Sequence, residues 1–255
     1  MNVQRPCRNK RFPRHRILLQ SSTVKTIVVI PTFNERDNLP QLIARIESLA
    51  VVLHALVVDD NSPDGTGGLA EELAATRPWL HVMHRPGKMG LGTAYVQGFQ
   101  YALAKGFDVI GEMDADLSHD PSYLHPMLRA LEAADLVLGS RYVAGGGTRN
   151  WGPMRKIISR GGSLYAQTIL GGGVHDRTGG FKLFRRHVLE NLGLDTVRSN
   201  GYSFQIEMTY RAIRRGYRVV EVPIVFEDRR VGKSKLSRQV VLEAMLMIPR
   251  LKLEG

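Results

Sequence analysis

From residue 25 onward, short runs rich in β-branched residues alternate with longer stretches whose apolar residues recur every three or four positions. KTIVVI (25–30), HALVVDD (54–60), HVMHR (81–85), DVIGEMD (108–114) and ADLVLGS (134–140) each predict a strand. NLPQLIARIESLA, GTGGLAEELAATR, LGTAYVQGFQYALAKG and PSYLHPMLRALEAA lie between or beside them and predict helices. Strands that are apolar almost throughout must be covered on both faces, so this order predicts an α/β fold. Its sheet is mostly parallel, with crossover helices on both sides. Beyond residue 140 the chain becomes glycine-rich and basic, with helical spacing at 153–170 and 202–216 and one more strand of the same sheet at RVVEVPIVF (218–226). We expect a single domain over 24–236, preceded by a flexible basic tail (1–23) and followed by an amphipathic or interface helix (237–255).

In open α/β sheets, ligands sit outside the carboxyl ends of the strands. Asp59 and Asp60 end one predicted strand, Asp114 and Asp116 end another, and PTFNE (31–35) follows the first. A lone D-x-D often does no more than cap a turn. Here it shares a rim with VVDDNSPDGT and IPTFNE, which favours a divalent cation, Mg²⁺ or Mn²⁺, held by Asp114 and Asp116 against a bound diphosphate. GKMGLGTAY (87–95) invites a dinucleotide-binding reading. It fails because Tyr95 stands where the third glycine belongs, and no Gly-Lys-Ser/Thr ending makes a P-loop. Lys88 is retained only as an unspecific phosphate contact. The histidines are scattered and predict no metal cluster.

Charge divides the chain. Residues 1–25 carry seven basic side chains and no acid; residues 26–140 carry seven basic against fifteen acidic, a net −8; residues 141–255 carry 21 against 9, a net +12. Between 141 and 186 nine Lys/Arg face a single acid, Asp176. An acidic half that gathers a cation and a basic half that grips an anion suit a reaction between two anionic substrates. A pI near 10.0 also raises a non-enzymatic nucleic-acid binder. With only 7% aromatic residues and a rim of carboxylates that would repel phosphates, no nucleic-acid partner is expected. One cysteine, Cys7, leaves no internal disulfide or multi-cysteine zinc site. No apolar run reaches the length of a membrane span, and the short ILL near the start is no signal-peptide core.

Taken in order, IPTFNE, VVDDNSPDGT, MDADLSHDP, GSRYVAGG, NWGPMRKIISRG, DRTGGFKLFRR, GYSFQIEM, EVPIVFEDR and GKSKL resemble the inverting glycosyltransferases of family 2, with a GT-A fold. Within that family the resemblance is to the polyprenyl-phosphate (dolichol-phosphate) mannose synthases, and it runs from about Thr26 to Leu236. It implies transfer of mannose from GDP-mannose to a polyprenyl phosphate; a related transferase using UDP-glucose or another donor is the alternative. Pro31, Phe33 and Glu35 would line the nucleotide pocket, with Asp60 near ribose or base and Asp114 and Asp116 on the metal. Ser118 stands where family members commonly carry Gln, which leaves its own contact with the metal open. Arg141, Arg155, Ser159 and Arg229 match positions that grip the acceptor phosphate, and Asp116, Arg141 and Arg155 are the expected catalytic residues. Asp176 would orient an arginine or the sugar. A lipid acceptor implies peripheral action at the cytoplasmic face of a membrane, with VVLEAMLMI (240–248), a small membrane partner or a fused membrane domain as the anchor.

Overall fold

The computed structural model of the chain describes residues 24–228 and 238–254. The basic tail at 1–23, Arg229 and GKSKL lie outside them. Among the described residues nine strands form: β1 (Thr26–Thr32), β2 (His54–Asp59), β3 (Leu80–His84), β4 (Val109–Glu112), β5 (Leu136–Ser140), β6 (Gly147–Arg149), β7 (Lys182–Arg185), β8 (Val219–Pro223) and β9 (Val225–Glu227). The helices are α1 (Leu39–Glu47), α2 (Thr66–Ala74), α3 (Leu91–Ala104), α4 (Leu124–Leu131), α5 (Pro153–Leu170), α6 (Arg186–Asn191), α7 (Gly201–Arg214) and α8 (Arg238–Glu254).

Seven strands make one sheet in the order β3-β2-β1-β4-β7-β5-β8. Every pairing in it is parallel except those of β7, which runs antiparallel between β4 and β5. The expected strand at 218–226 is real but broken: its first part joins the main sheet, and β9 leaves it to pair with β6. Pro223 has no N–H to continue a ladder, so the chain changes sheets beside it.

Alternation along β1 explains the layers. Val28 and Ile30 face a core built with α1 and α4; Ile27 and Val29 face one built with α3, α6 and α7. Helix α3 lies so close to the sheet that a Cβ on Gly98 would sit 2.3 Å from Val29. A third cluster ties α8 to the body, with Ile248 packed among Ala166, Leu170, Ile206 and Tyr210 of α5 and α7.

Since β1, β2, β4 and β5 all point the same way, their carboxyl ends share one rim. Thr32, Asp60, Asp114 and Arg141 stand at or just beyond it. The strand order reverses at β1, which is flanked by β2 and β4, and a crevice opens there.

Candidate active site

The crevice holds a cavity of about 280 Å³ lined by Pro31, Phe33, Glu35, Asp60, Asp114 and Asp116, and closed by Thr178, Gly180, Tyr202 and Gln205. The first six were read from the sequence as donor-site residues; the last four were not. Two loops fix the side of the cavity at the ends of β1 and β2. Thr32 and Ser62 donate to the Asp59 carboxylate at 3.0 and 2.6 Å, and the Glu35 N–H donates to Thr66 Oγ1 at 3.0 Å. Thus Asp59 ties the DDNSPDGT loop to the end of β1, while Asp60 is left facing the cavity. Arg85 pairs with Asp60 at 2.7 Å and is held in turn against Thr93. Burial raises the Asp60 pKa, and this outweighs the opposing pull of Arg85. Lys88 lies over the Phe33 ring at 4.3 Å, which puts an ammonium group at the mouth of the pocket.

At the end of β4, Asp114 keeps 32% of its side chain exposed while Asp116 is buried. Tyr95 donates to Asp114 Oδ1 at 3.2 Å. The Ser118 amide and hydroxyl both donate to Asp116 Oδ1, at 3.1 and 2.5 Å. Ser118 does not line the cavity; it orients a carboxylate that does. Leu117, between Asp116 and Ser118, has φ +62°, a left-handed conformation rarely adopted by a bulky residue. Buried His119 accepts from the Asp114 N–H at 3.2 Å and stacks on Phe181. Burial lowers its pKa against the pull of Asp114 and Asp116, so it serves as a neutral post beneath the loop. Asp120 takes the simpler role open to it and caps the short turn at Pro121–Tyr123.

Among the described residues no three His, Cys, Asp or Glu side chains gather as a complete metal cage. Two oriented carboxylates with room beside them fit a hard cation such as Mg²⁺ or Mn²⁺, which takes oxygen donors and fills its remaining positions with water and phosphate oxygens.

The basic side is equally ordered. Arg141, just past β5, forms a two-pronged pair with Asp176 at 2.7 Å on both prongs, and its backbone N–H adds a third bond at 2.9 Å. Although burial opposes each charge, this pairing keeps Asp176 below the usual carboxylate range and raises Arg141. Arg141 also donates to Thr178 at 2.8 Å, which links it to the cavity wall. The Trp151 ring lies between two cations, 5.4 Å from Arg141 and 4.2 Å from Arg155. Arg155 pairs with Asp228 at 2.5 Å, and Ser159 accepts from Tyr142 at 2.7 Å. Arg141, just past β5, and Arg155 and Ser159, one turn apart on α5, therefore converge around one indole and one phenol; Arg229 lies outside the described residues. Thr178 and Gly180 had a signal in DRTGGF, and Tyr202 and Gln205 in GYSFQIEM, but no role was read for any of the four from those motifs.

Residues 27–193 match Glycosyl transferase family 2. The chain is 49% identical to the polyprenol monophosphomannose synthase of Mycolicibacterium smegmatis over 235 residues, 91% of this chain and 89% of that one. It is 46% identical to the undecaprenyl-phosphate mannosyltransferase of Micrococcus luteus, covering 89% of this chain and 93% of the relative. Among solved structures, glucosyl-3-phosphoglycerate synthase from Mycobacterium tuberculosis superposes with a TM-score of 0.66 at 19% identity, covering 89% of this chain and 79% of its own. A mannosyltransferase from Pyrobaculum calidifontis in complex with GDP-Man and Mn²⁺ gives 0.55 at 18% identity, covering 90% and 73%. At such identities the likeness establishes the fold.

Proposed function

Since the chain belongs to glycosyl transferase family 2 and has its GT-A-like α/β fold, we propose that it transfers mannose from GDP-mannose to a polyprenyl (dolichyl) monophosphate. The product is a β-mannosyl phosphoryl polyprenol. The observation that carries this reading is the meeting, across Thr178, of a carboxylate-lined cavity and an arginine cluster. The names of the two curated relatives support the sugar and the acceptor, and the GDP-Man complex of a structural neighbour supports the donor.

In this reading Pro31, Phe33, Glu35 and Asp60 seat the nucleotide. A divalent cation held by Asp114 and Asp116 supplies positive charge to the diphosphate leaving group. Arg155 and Ser159, with Arg141 braced by Asp176, hold the acceptor phosphate, for which a guanidinium fork is the matching shape. A phosphate monoester has a second pKa of about 6 and is largely dianionic at neutral pH, so the nucleophile needs no base. Its oxygen forms the new bond to mannose C1 as the C1–O bond to GDP breaks. One in-line displacement inverts the anomeric centre, and alignment supplies much of the rate.

A lipid acceptor requires a bilayer surface. Met154, Ile157 and Leu164 of α5, with Met245, Leu246 and Leu253 of α8, are all at least half exposed. They belong to two helices packed on each other. Among the described residues no helix is long and apolar enough to cross a membrane. Peripheral contact through these two helices, at the cytoplasmic face, fits the substrate.

Incubating the protein with labelled GDP-mannose, a polyprenyl phosphate and Mg²⁺, then extracting into organic solvent, tests the assignment. Label should enter the organic phase with GDP-mannose and not with UDP-glucose. Transfer from UDP-glucose alone would reassign the donor, and transfer from neither would overturn the reading.

A further inference from the structure

Helix α7 has two working faces. Gly201, Tyr202 and Gln205 look into the donor cavity. Glu207, Tyr210, Arg211 and Arg214, further along, line a second and larger cavity of about 830 Å³ between α7 and α8. It shares no residue with the first. Five arginines surround it, at 198, 211, 214, 215 and 250, against one carboxylate, Glu207. That carboxylate is already engaged by Arg211 at 2.5 Å and by Ser199. Arg211 also donates to the Leu192 and Gly193 carbonyls, so this pair forms the wall. Arg198, Arg214 and Arg215 are exposed around the mouth, with Arg250 beside them, above a floor that includes Met247 and Leu251. Such a concentration of like charge is unfavourable in itself and strongly attracts a multivalent anion.

The cavity's setting identifies the kind of anion. Arg250 stands one helical turn from Leu246, 70% exposed, and three residues from Leu253, 88% exposed. The mouth thus borders the apolar strip of α8, the arrangement wanted by a ligand with a phosphate at one end and acyl chains at the other. We infer that the arginine-rimmed cavity between α7 and α8 binds the headgroup of an anionic bilayer phospholipid that is not the substrate. Occupation of this site would hold α8 against the bilayer and fix how the donor crevice faces it. The inference stands whichever sugar is transferred.

Co-sedimentation with phosphatidylcholine vesicles, with and without phosphatidylglycerol, tests it in the full chain. Each arginine near an anionic surface contributes about a fivefold gain in partitioning. Arg214→Gln/Arg215→Gln should therefore bind phosphatidylglycerol vesicles at least about tenfold more weakly, bind phosphatidylcholine like the parent, and keep the parent's rate on a short-chain prenyl phosphate in solution. A charge-matched control just past α3 and on α4, Lys105→Gln/Arg129→Gln, should lose little. Two results would overturn the proposal: unaltered binding by the first variant, or an equal loss by the control.

Discussion

If Asp116 holds the proposed cation, Ser118 acts on it through that carboxylate. With both its amide and its hydroxyl on one carboxylate oxygen, Ser118→Ala should weaken metal binding about 10- to 100-fold, the usual cost of losing an outer-shell partner. It should do so without altering the fold. Titration with Mn²⁺ in the presence of GDP would measure this, and an unchanged affinity would remove Ser118 from the site. Arg155 offers the complementary case. Arg155→Ala should cut turnover by about 100-fold while leaving GDP affinity intact, with Arg155→Lys in between because the fork is lost but the charge kept. Equal losses of turnover and GDP binding would place Arg155 on the donor side. That Asp114 and Asp116 line one crevice with Pro31, Phe33, Glu35 and Asp60 was readable, because a D-x-D that follows an apolar strand shares its rim with the ends of the neighbouring strands. Arg141 was readable as a cation and Asp176 as a group that orients an arginine or the sugar, but that the two pair with each other was not, since 35 residues separate them and only the fold brings them together.

At the level of elements, the least legible piece was β7. KLFR is short and half cationic, and nothing in its pattern announces an antiparallel strand in the middle of a parallel sheet. Its place is explained by a cross-strand pair: Lys182 lies directly opposite Glu112 of β4, and their side chains meet at 2.8 Å, fully buried. Burial pushes the Glu112 carboxyl up to about 7 even with Lys182 beside it. Lys182→Met should cost about 3–5 kcal/mol by stranding that carboxyl, and Lys182→Met/Glu112→Leu should recover most of it. Denaturant midpoints of the singles and the double would test this, and additive losses would contradict it. On β2 and β3, His54 and His81 share a bond at 2.9 Å, with Tyr101 completing the row. Burial, helped by nearby cations, lowers both pKa values below 6.5. The unfolded chain then takes up protons first, so stability should fall as pH drops through and below about 6.5. The loss in urea midpoint between pH 7.5 and pH 5.5 should shrink in His54→Asn/His81→Asn; an unchanged loss would locate the sensitivity elsewhere. Strands β1 to β5, by contrast, were plain in the sequence to within a few residues, because burial on both faces demands nearly unbroken apolar runs.

Across the whole molecule, the split of charge along the chain becomes a split in space. The acidic stretch supplies the carboxylates at the ends of β2 and β4, and the basic stretch supplies Arg141 beyond β5 and Arg155 on α5. A parallel sheet sends all these strand ends to one rim, so two charge-opposed regions far apart in sequence face one crevice. The central claim is that Asp114 and Asp116 hold the cation that meets the donor diphosphate there. Anomalous diffraction from crystals soaked with GDP-mannose and Mn²⁺ tests it most directly. We expect one strong peak bonded to the Asp114 and Asp116 carboxylates and to diphosphate oxygens; a nucleotide bound in the crevice with the metal away from both aspartates would contradict the account.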